Sequence, residues 1–373
     1  MSTGLLEATW WGAGSGLAAR GLGLALAPAG ALFGLAAALR GAAYDHGLAI
    51  VARAAVPVIS VGNLAVGGAG KTPATAAIAA RLRARGRRVA ILSRGYGATR
   101  SDPRVVSNGD QILLGAAEGG DEPVLLARRL FGVAVLCGPR RAELARRAVA
   151  EFGAEVLLLD DGFQHRRLGR DLDVVLLDAS NPFGNGRLLP AGPNREPPSA
   201  LRRAGLVWLS RVDQADDAAA LGRLRALARA ASPGAGLVES RHAPEELLDG
   251  TLSRPLGLGS LRGQRVLLLS GLARPASFRR TVEGLGAEIG GEQRHPDHHR
   301  FDERDLEEAF RAAGRLGCAR VVTTEKDAVR LPAVAARDPR IAVLRIGAEI
   351  LSGGERLDAA LDAALAAGRE RGR

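Results

Sequence analysis

Short, unbroken runs of Val, Leu and Ile recur along the chain, and between them lie stretches in which apolar residues return every three or four positions. Val89–Ser93, Val133–Cys137, Val156–Asp160, 174–178 and Leu206–Ser210 are such runs. A strand with one wet face alternates polar and apolar residues, whereas a strand buried on both faces of a parallel sheet is apolar throughout. The intervening segments 75–85 and 140–152 carry helical spacing. The pattern therefore predicts an α/β/α sandwich with a mostly parallel sheet, whose ligands bind at the carboxyl ends of the strands. Residues 214–256 are less regular, with an Arg/Ala/Asp-rich helical pattern and scattered prolines, which predicts a domain boundary. The alternation resumes as strand 266–270, helix 275–285, helix 302–316 and strand 321–324, a second and smaller α/β unit. An alanine-rich, basic helix over 357–373 closes the chain. The expected organisation is a hydrophobic segment at 1–45, a core domain at 46–235, a smaller α/β domain at 236–350 and a terminal helix at 351–373.

The hydrophobic segment is the least conventional part of this pattern. Residues 21–39 are nineteen positions without a charge, flanked by Arg20 and Arg40. That length could span a bilayer, but Pro28 and the glycines at 21, 23, 30 and 34 weaken a helix, and Ala inserts less readily than Leu. Trp10 and Trp11, with the two arginines, suit a lipid interface. Three readings stand for 1–45: an anchor lying in the membrane surface, a true span, or helices packed on the core. A secretory signal with small residues at 36–38 fits the composition, but the nucleotide loop that follows argues against export.

That loop is the strongest local signal. Residues 56–73, VPVISVGNLAVGGAGKTP, run from an apolar strand into a glycine-rich turn ending in Gly70-Lys71-Thr72. Gly67, Gly68 and Gly70 carry no Cβ, so the backbone of this loop, Ala69 included, can turn its N–H groups inward around an anion, and the helix that follows adds its positive end. Lys71 is placed to reach β- and γ-phosphates and Thr72 to hold Mg²⁺, with Pro73 completing the loop. The strict spacing puts its first glycine at position 65, which is Ala65 here. A second element, VLLLDD, sets Asp160 and Asp161 at a strand end, as a Walker B site requires. Gln164 and His165 follow at once and can face the same cleft.

Other positions are weaker on their own. Asp121 and Glu122 in Gly120-Asp121-Glu122-Pro123 could supply a base for an attacking hydroxyl, or simply cap a helix. His295, His298 and His299 invite a zinc site, but no cysteine cluster or HExxH accompanies them; a catalytic histidine paired with an acid fits better. The Gly/Pro-rich loop at 183–193 is of the kind that covers a substrate. Residues 323–327, TTEKD, suit a cleft lining, a domain contact or an ordinary strand-to-helix turn.

Composition narrows the class. The 373 residues are 47% apolar, ample for packed cores. The net charge of +11 is carried almost wholly by arginine, because Lys71 and Lys326 are the only lysines. Such a bias reflects base composition as much as selection, and could serve anionic lipid, nucleic acid or nothing specific. Aromatic residues at 3% give no stacking platform for nucleic acid. Cys137 and Cys318 form no CxxC, as expected for buried free thiols in a reducing cytosol.

Seven ordered blocks together resemble one family, the tetraacyldisaccharide 4'-kinases that phosphorylate lipid A precursors in Gram-negative bacteria. They are SVGNLAVGGAGKTP (60–73), SRGYG (93–97), GDEP (120–123), DDGFQH (160–165), FGNGRLLPAGPNRE (183–196), PDHHRF (296–301) and TEKDAV (324–329). The resemblance implies transfer of the ATP γ-phosphate to the 4'-hydroxyl of a tetraacyl glucosamine disaccharide 1-phosphate. It implies Asp121 as general base, oriented by His298 from the second domain, with domain closure bringing the two together. It implies Lys71 and Thr72 as phosphate and Mg²⁺ ligands, Asp160, Asp161 and Glu122 as acidic metal-site residues, and Arg94, Gln164 and His165 as neighbours. ATP and Mg²⁺ are the expected cofactors, acylated disaccharide and membrane lipid the expected partners, with no nucleic acid. A monomer peripheral or monotopic on the cytoplasmic face of the inner membrane follows. The competing class is a P-loop switch or partitioning ATPase that modifies no small molecule.

Overall fold

The computed structural model describes residues 3–12, 16–99, 102–272 and 275–371. Three N-terminal helices, α1 (Thr3–Trp11), α2 (Leu17–Ala25) and α3 (Ala27–Asp45), precede β1 (Val58–Asn63), α4 (Lys71–Ala84) and β2 (Val89–Ser93). There follow β3 (Arg104–Gly109), α5 (Ala116–Gly119), α6 (Asp121–Arg129), β4 (Val133–Cys137), α7 (Arg141–Phe152), β5 (Val156–Asp160), β6 (Leu172–Asp178) and β7 (Leu206–Ser210). The remainder is α8 (Ala218–Ala231), β8 (Gly236–Asp249), β9 (Arg265–Ser270), α9 (Pro275–Gly284), β10 (Glu288–Arg294) and α10 (Glu303–Arg315). The chain ends with β11 (Arg320–Thr324), α11 (Glu325–Ala328), β12 (Ile341–Ser352) and α12 (Gly354–Arg371).

These elements form two compact units. The first comprises Met1–Arg94, Leu136–Arg241 and Ala348–Arg373, and the second Gly95–Val135 and His242–Gly347. A continuous core domain over 46–235 was the expectation; instead the segment carrying β3, α5 and α6 belongs to the second unit. Neighbours in sequence are free to pack into different cores, and nothing in the local pattern of 95–135 announces which core it joins.

In the first unit β1 lies between β5 and β6, β2 flanks β5, β7 flanks β6, and all these pairs are parallel. Every residue of these five strands is buried, which is why β2, β5 and β7 are apolar up to their last residue and β6 carries an apolar run over 174–177. Val61 pairs with Asp160 across β1 and β5, so the turn after β1 and the acidic pair after β5 emerge side by side. Gly62 faces Phe163 across this junction: a Cβ there would sit 2.6 Å from the Phe163 Cβ and 2.8 Å from its backbone nitrogen. Gly62→Ala is therefore expected to destabilise the fold by about 1–3 kcal/mol through overpacking; thermal unfolding matching the parent would contradict that.

The second unit is built on the parallel order β10-β9-β11-β12. Its core gathers Leu247, Val266, Leu268, Phe278, Val322 and Leu344. Sequence pattern missed β3, β8, β10 and β12. β8 (GLVESRHAPEELLD) and β10 (EIGGEQR) are largely half-buried or exposed and carry polar residues throughout, so neither shows an apolar run.

Among the described residues no single helix is long and apolar enough to cross a membrane; α2 and α3 pass that test only as a pair bent by 46°. The helix glycines, which weaken a span, make a close-contact face here. A Cβ on Gly30 would lie 3.1 Å from the Ala191 Cβ, and one on Gly34 would lie 2.9 Å from Leu188 Cδ1. Arg187 Nη1 donates to the Gly23 carbonyl at 2.9 Å. Trp10, expected at a lipid interface, donates its indole N–H to the Pro190 carbonyl at 2.9 Å. The small-residue face thus seats on the loop at 183–193, while Leu24, Leu32, Leu35 and Leu39 are between 58% and 69% exposed.

Candidate active site

The phosphate loop stands at the carboxyl end of β1. Gly67 (φ +100°) and Gly70 (φ +83°) take left-handed backbone conformations that a side chain would resist. Position 65 is different: Ala65 is bridged antiparallel to Asn194, and the Val66 N–H donates to the Pro193 carbonyl at 2.8 Å. The residue that departs from the short glycine pattern thus takes part in pairing, and the left-handed turns fall elsewhere. Helix α4 starts at Lys71, four residues before the expected 75, because Gly70 caps it. Thr72 and Pro73 therefore lie in its first turn, where proline removes no intrahelical bond and the free N–H groups favour an anion.

Lys71 is 7% exposed. Its Nζ lies 3.3 Å from the Gly67 carbonyl, 3.4 Å from Asn63 Oδ1 and 3.5 Å from Asp161 Oδ1. Asp160 is buried at the end of β5 and accepts the Ser93 hydroxyl at 3.1 Å. Asp161 follows in the left-handed region at φ +51°, which turns its carboxylate toward Lys71 and Arg195. Burial alone would raise the Asp161 pKa, but the Lys71 and Arg195 charges outweigh it and hold the carboxyl at about 2. Arg195 Nη1 reaches Asp161 Oδ2 at 2.7 Å and Gln164 Oε1 at 3.4 Å, and Gln164 Nε2 donates to the Asn63 carbonyl at 3.0 Å. His165 is held neutral at physiological pH: burial, reinforced by Arg141 and Arg170, lowers it to about 4. Arg94, exposed beyond the end of β2, adds positive charge near Arg141.

The second unit holds the other expected chemistry. Asp121 is the first residue of α6, whose cap is Gly120 (φ +87°). Its Oδ2 lies 3.2 Å from His298 Nδ1 and 3.5 Å from Arg330 Nε. His298 sits at φ +61°, a strained setting for a non-glycine residue that marks a position chosen for its direction. Both members of the pair belong to one unit, so their contact does not depend on the domain closure that the resemblance implied. Lys326 Nζ lies 2.9 Å from Asp297 Oδ1 and 3.4 Å from His298 Nε2. Burial works against ionisation of Asp297, but the Lys326 charge prevails and keeps the carboxyl below its ordinary value.

The expected acidic set is drawn from both units, and the histidines of 295–299 fall into two arrangements. Thr72, Asp160 and Asp161 lie in the first unit, whereas Glu122 lies in the second, beside Asp121 and without an ion pair among the described residues. His295, His299 and Asp305 are the one grouping among the described residues with metal-ligating atoms in reach of one another. The two imidazoles stack 4.3 Å apart with planes 22° from parallel, so their lone pairs do not converge on one ion. His299 Nε2 instead bonds Asp305 Oδ2 at 2.7 Å, at the capping box of α10.

Residues 22–366 match the sequence model of the family described as LpxK, tetraacyldisaccharide-1-P 4'-kinase. The chain belongs to this kinase family. A tetraacyldisaccharide 4'-kinase of Anaeromyxobacter sp. (strain Fw109-5) is 65% identical over 367 residues, covering 98% of this chain and 97% of that one. One from Syntrophus aciditrophicus (strain SB) is 43% identical over 309 residues, 79% of this chain and 80% of its own. A crystal structure described as an "apo" form LpxK from Aquifex aeolicus in complex with ATP aligns with TM-score 0.76 at 28% identity, across 92% of this chain and 99% of that one.

Against this kinase frame, three polar residues escaped the sequence reading. Arg195 was part of a matched block but was not singled out. Arg330 follows the TEKDAV block. Arg141 did leave a signal: it is a cation at the first position of α7, where the helix dipole disfavours positive charge. It is buried all the same, and burial lowers its pKa to about 10 while Asp160 works in the other direction. A local rule broken at a strand end is where function is to be sought.

Proposed function

We propose that the protein transfers the γ-phosphate of ATP to the 4'-hydroxyl of a tetraacyl glucosamine disaccharide 1-phosphate, in lipid A biosynthesis. The observation that carries this reading is the Asp121–His298 pair at 3.2 Å, in a chain that belongs to the 4'-kinase family and carries a phosphate loop of its own. Gly67, Gly68, Ala69, Gly70, Lys71, Thr72 and Pro73 take the triphosphate, with Lys71 at its β- and γ-oxygens. Asp160, Asp161 and Thr72 offer the hard oxygens that suit Mg²⁺, which when bound neutralises phosphate charge. Asp161 is ionised throughout the physiological range for such a role. Asp121 takes the proton of the attacking hydroxyl, and His298 orients its carboxylate. Arg94, Arg141, Gln164 and neutral His165 line the nucleotide side with donors. A P-loop switch ATPase would have no use for a carboxylate–imidazole pair set against a lipid hydroxyl. Incubation with Mg²⁺-ATP and the acylated disaccharide should add one phosphate, mapped by mass spectrometry to the 4'-position; an unmodified acceptor beside an active 4'-kinase control would refute the assignment.

We read the protein as a monomer peripheral to the cytoplasmic membrane face, with the leucine face of α2 and α3 lying in the lipid interface. The exposed leucines, flanked by Arg20 and Arg40, support this. Changing Leu24, Leu32, Leu35 and Leu39 to Gln should reduce cosedimentation with anionic phospholipid vesicles by about tenfold or more. Unaltered binding would place the membrane contact elsewhere.

A further inference from the structure

We infer that Lys326 and Arg330 are positioning residues that set the imidazole tautomer and the direction of the Asp121–His298 pair. This rests on the reading of Asp121 as general base.

The tautomer follows from donor counting. An ammonium has only donors, so Lys326 Nζ, 3.4 Å from His298 Nε2, requires that nitrogen to accept. The ring proton then resides on Nδ1, which donates to Asp121 Oδ2 at 3.2 Å. Lys326 is itself fixed by Asp297 Oδ1 at 2.9 Å. With Nε2 accepting from Lys326, the Nδ1–H is the face of the ring that meets Asp121.

Arg330 fixes the carboxylate. Its side chain is only 2% exposed, and every guanidinium nitrogen has a contact. Nη2 donates to Asp327 Oδ1 at 2.7 Å, Nη1 to the His299 carbonyl at 3.2 Å, and Nε to the Lys326 carbonyl at 3.2 Å, with Asp121 Oδ2 at 3.5 Å from Nε. Asp327 is fully buried and accepts the Thr324 hydroxyl at 2.8 Å. One guanidinium therefore ties the His298 loop, the start of α11 and the Asp121 carboxylate into a single arrangement. Both polar contacts of Asp121 fall on Oδ2, and Oδ1 has no partner among the described residues. Oδ1 is thereby the oxygen presented to a hydroxyl proton.

Tyr96 stands edge-on to the His298 ring, and Asp297 Oδ2 lies 3.9 Å from its Nε2. Lys326 is the donor that faces the Nε2 lone pair. Taking it away lets the ring adopt the other tautomer, in which Nδ1 has no proton to donate to Asp121.

Full-length protein is assayed with Mg²⁺-ATP and the acylated disaccharide, and the ¹⁵N shifts of the His298 ring are recorded. Lys326→Met should lower kcat by about tenfold or more, with KM for ATP little changed, and the ring should lose its single Nδ1–H tautomer. Lys326→Arg, which restores a donor, should recover most of both. Arg330→Lys, which retains charge but not the fork, should lower kcat by about tenfold with KM for ATP little changed. An unchanged tautomer or an unchanged kcat in Lys326→Met overturns the Lys326 assignment. An unchanged kcat in Arg330→Lys overturns the Arg330 assignment. Asp121→Asn serves as the separate arm: wild-type turnover there would remove the base reading itself, whereas an inactive Asp121→Asn beside parental kcat in Lys326→Met and Arg330→Lys rejects only this inference.

Discussion

Asp121→Asn should lower phosphoryl transfer to the lipid acceptor by about 10²- to 10⁴-fold while leaving ATP binding intact. The amide has nearly the shape of the carboxylate, and the cap of α6 is Gly120. What disappears is a negatively charged oxygen able to take a proton. Arg330, 3.5 Å from Oδ2, loses the charge it faces, and the His298 Nδ1 donor meets an amide. Kinetics with saturating ATP, together with calorimetric ATP titration, separate the two functions. Turnover within a few-fold of the parent would end the proposal that Asp121 is the base.

Lys71→Met should reduce kcat by about 10²- to 10³-fold, with weaker nucleotide binding as well. Only two lysines occur in this chain of 51 basic residues, and one of them stands in the phosphate loop. An ammonium is a compact point charge that can follow a phosphoryl group through transfer. Lys71→Arg is not expected to rescue, because the side chain is 7% exposed and the planar fork does not fit the same space. The variant also carries a pH signature. Asp161 is depressed to about 2 from 3.8, by Lys71 and Arg195 against burial. Its contribution to stability is therefore present above 3.8 and is lost as pH falls through about 2. Lys71→Met should be less stable than the parent at neutral pH, and the gap should narrow across that acidic window. Urea denaturation at several pH values would show it; a gap that widened toward acid would refute the pairing.

The legible parts of this protein share one property: their chemistry is local. The strands of the first unit could be read because burial on both faces forces an apolar run. The phosphate loop could be read because glycine at left-handed positions, a lysine and a hydroxyl must follow each other at short spacing. The glycines of α2 and α3 were legible as residues but not as a surface. They read as helix-weakening until Ala191 and Leu188 are seen against them. The strands β8 and β10 were illegible because partial exposure removes the pattern that betrays a strand.

By itself, the sequence determined the fold class, the phosphate loop, the acidic strand end and, through seven ordered blocks, the kinase family. Each is carried by residues within a few positions of one another. Only the tertiary structure decided that 95–135 packs with the second unit, that Asp121 therefore meets His298 within one unit, and that a buried Arg330 stands behind them. Contacts such as Asp121 to His298, across 177 positions, depend on which core buries which face. That choice is made by summed burial over the whole chain and leaves no mark at either end of the contact.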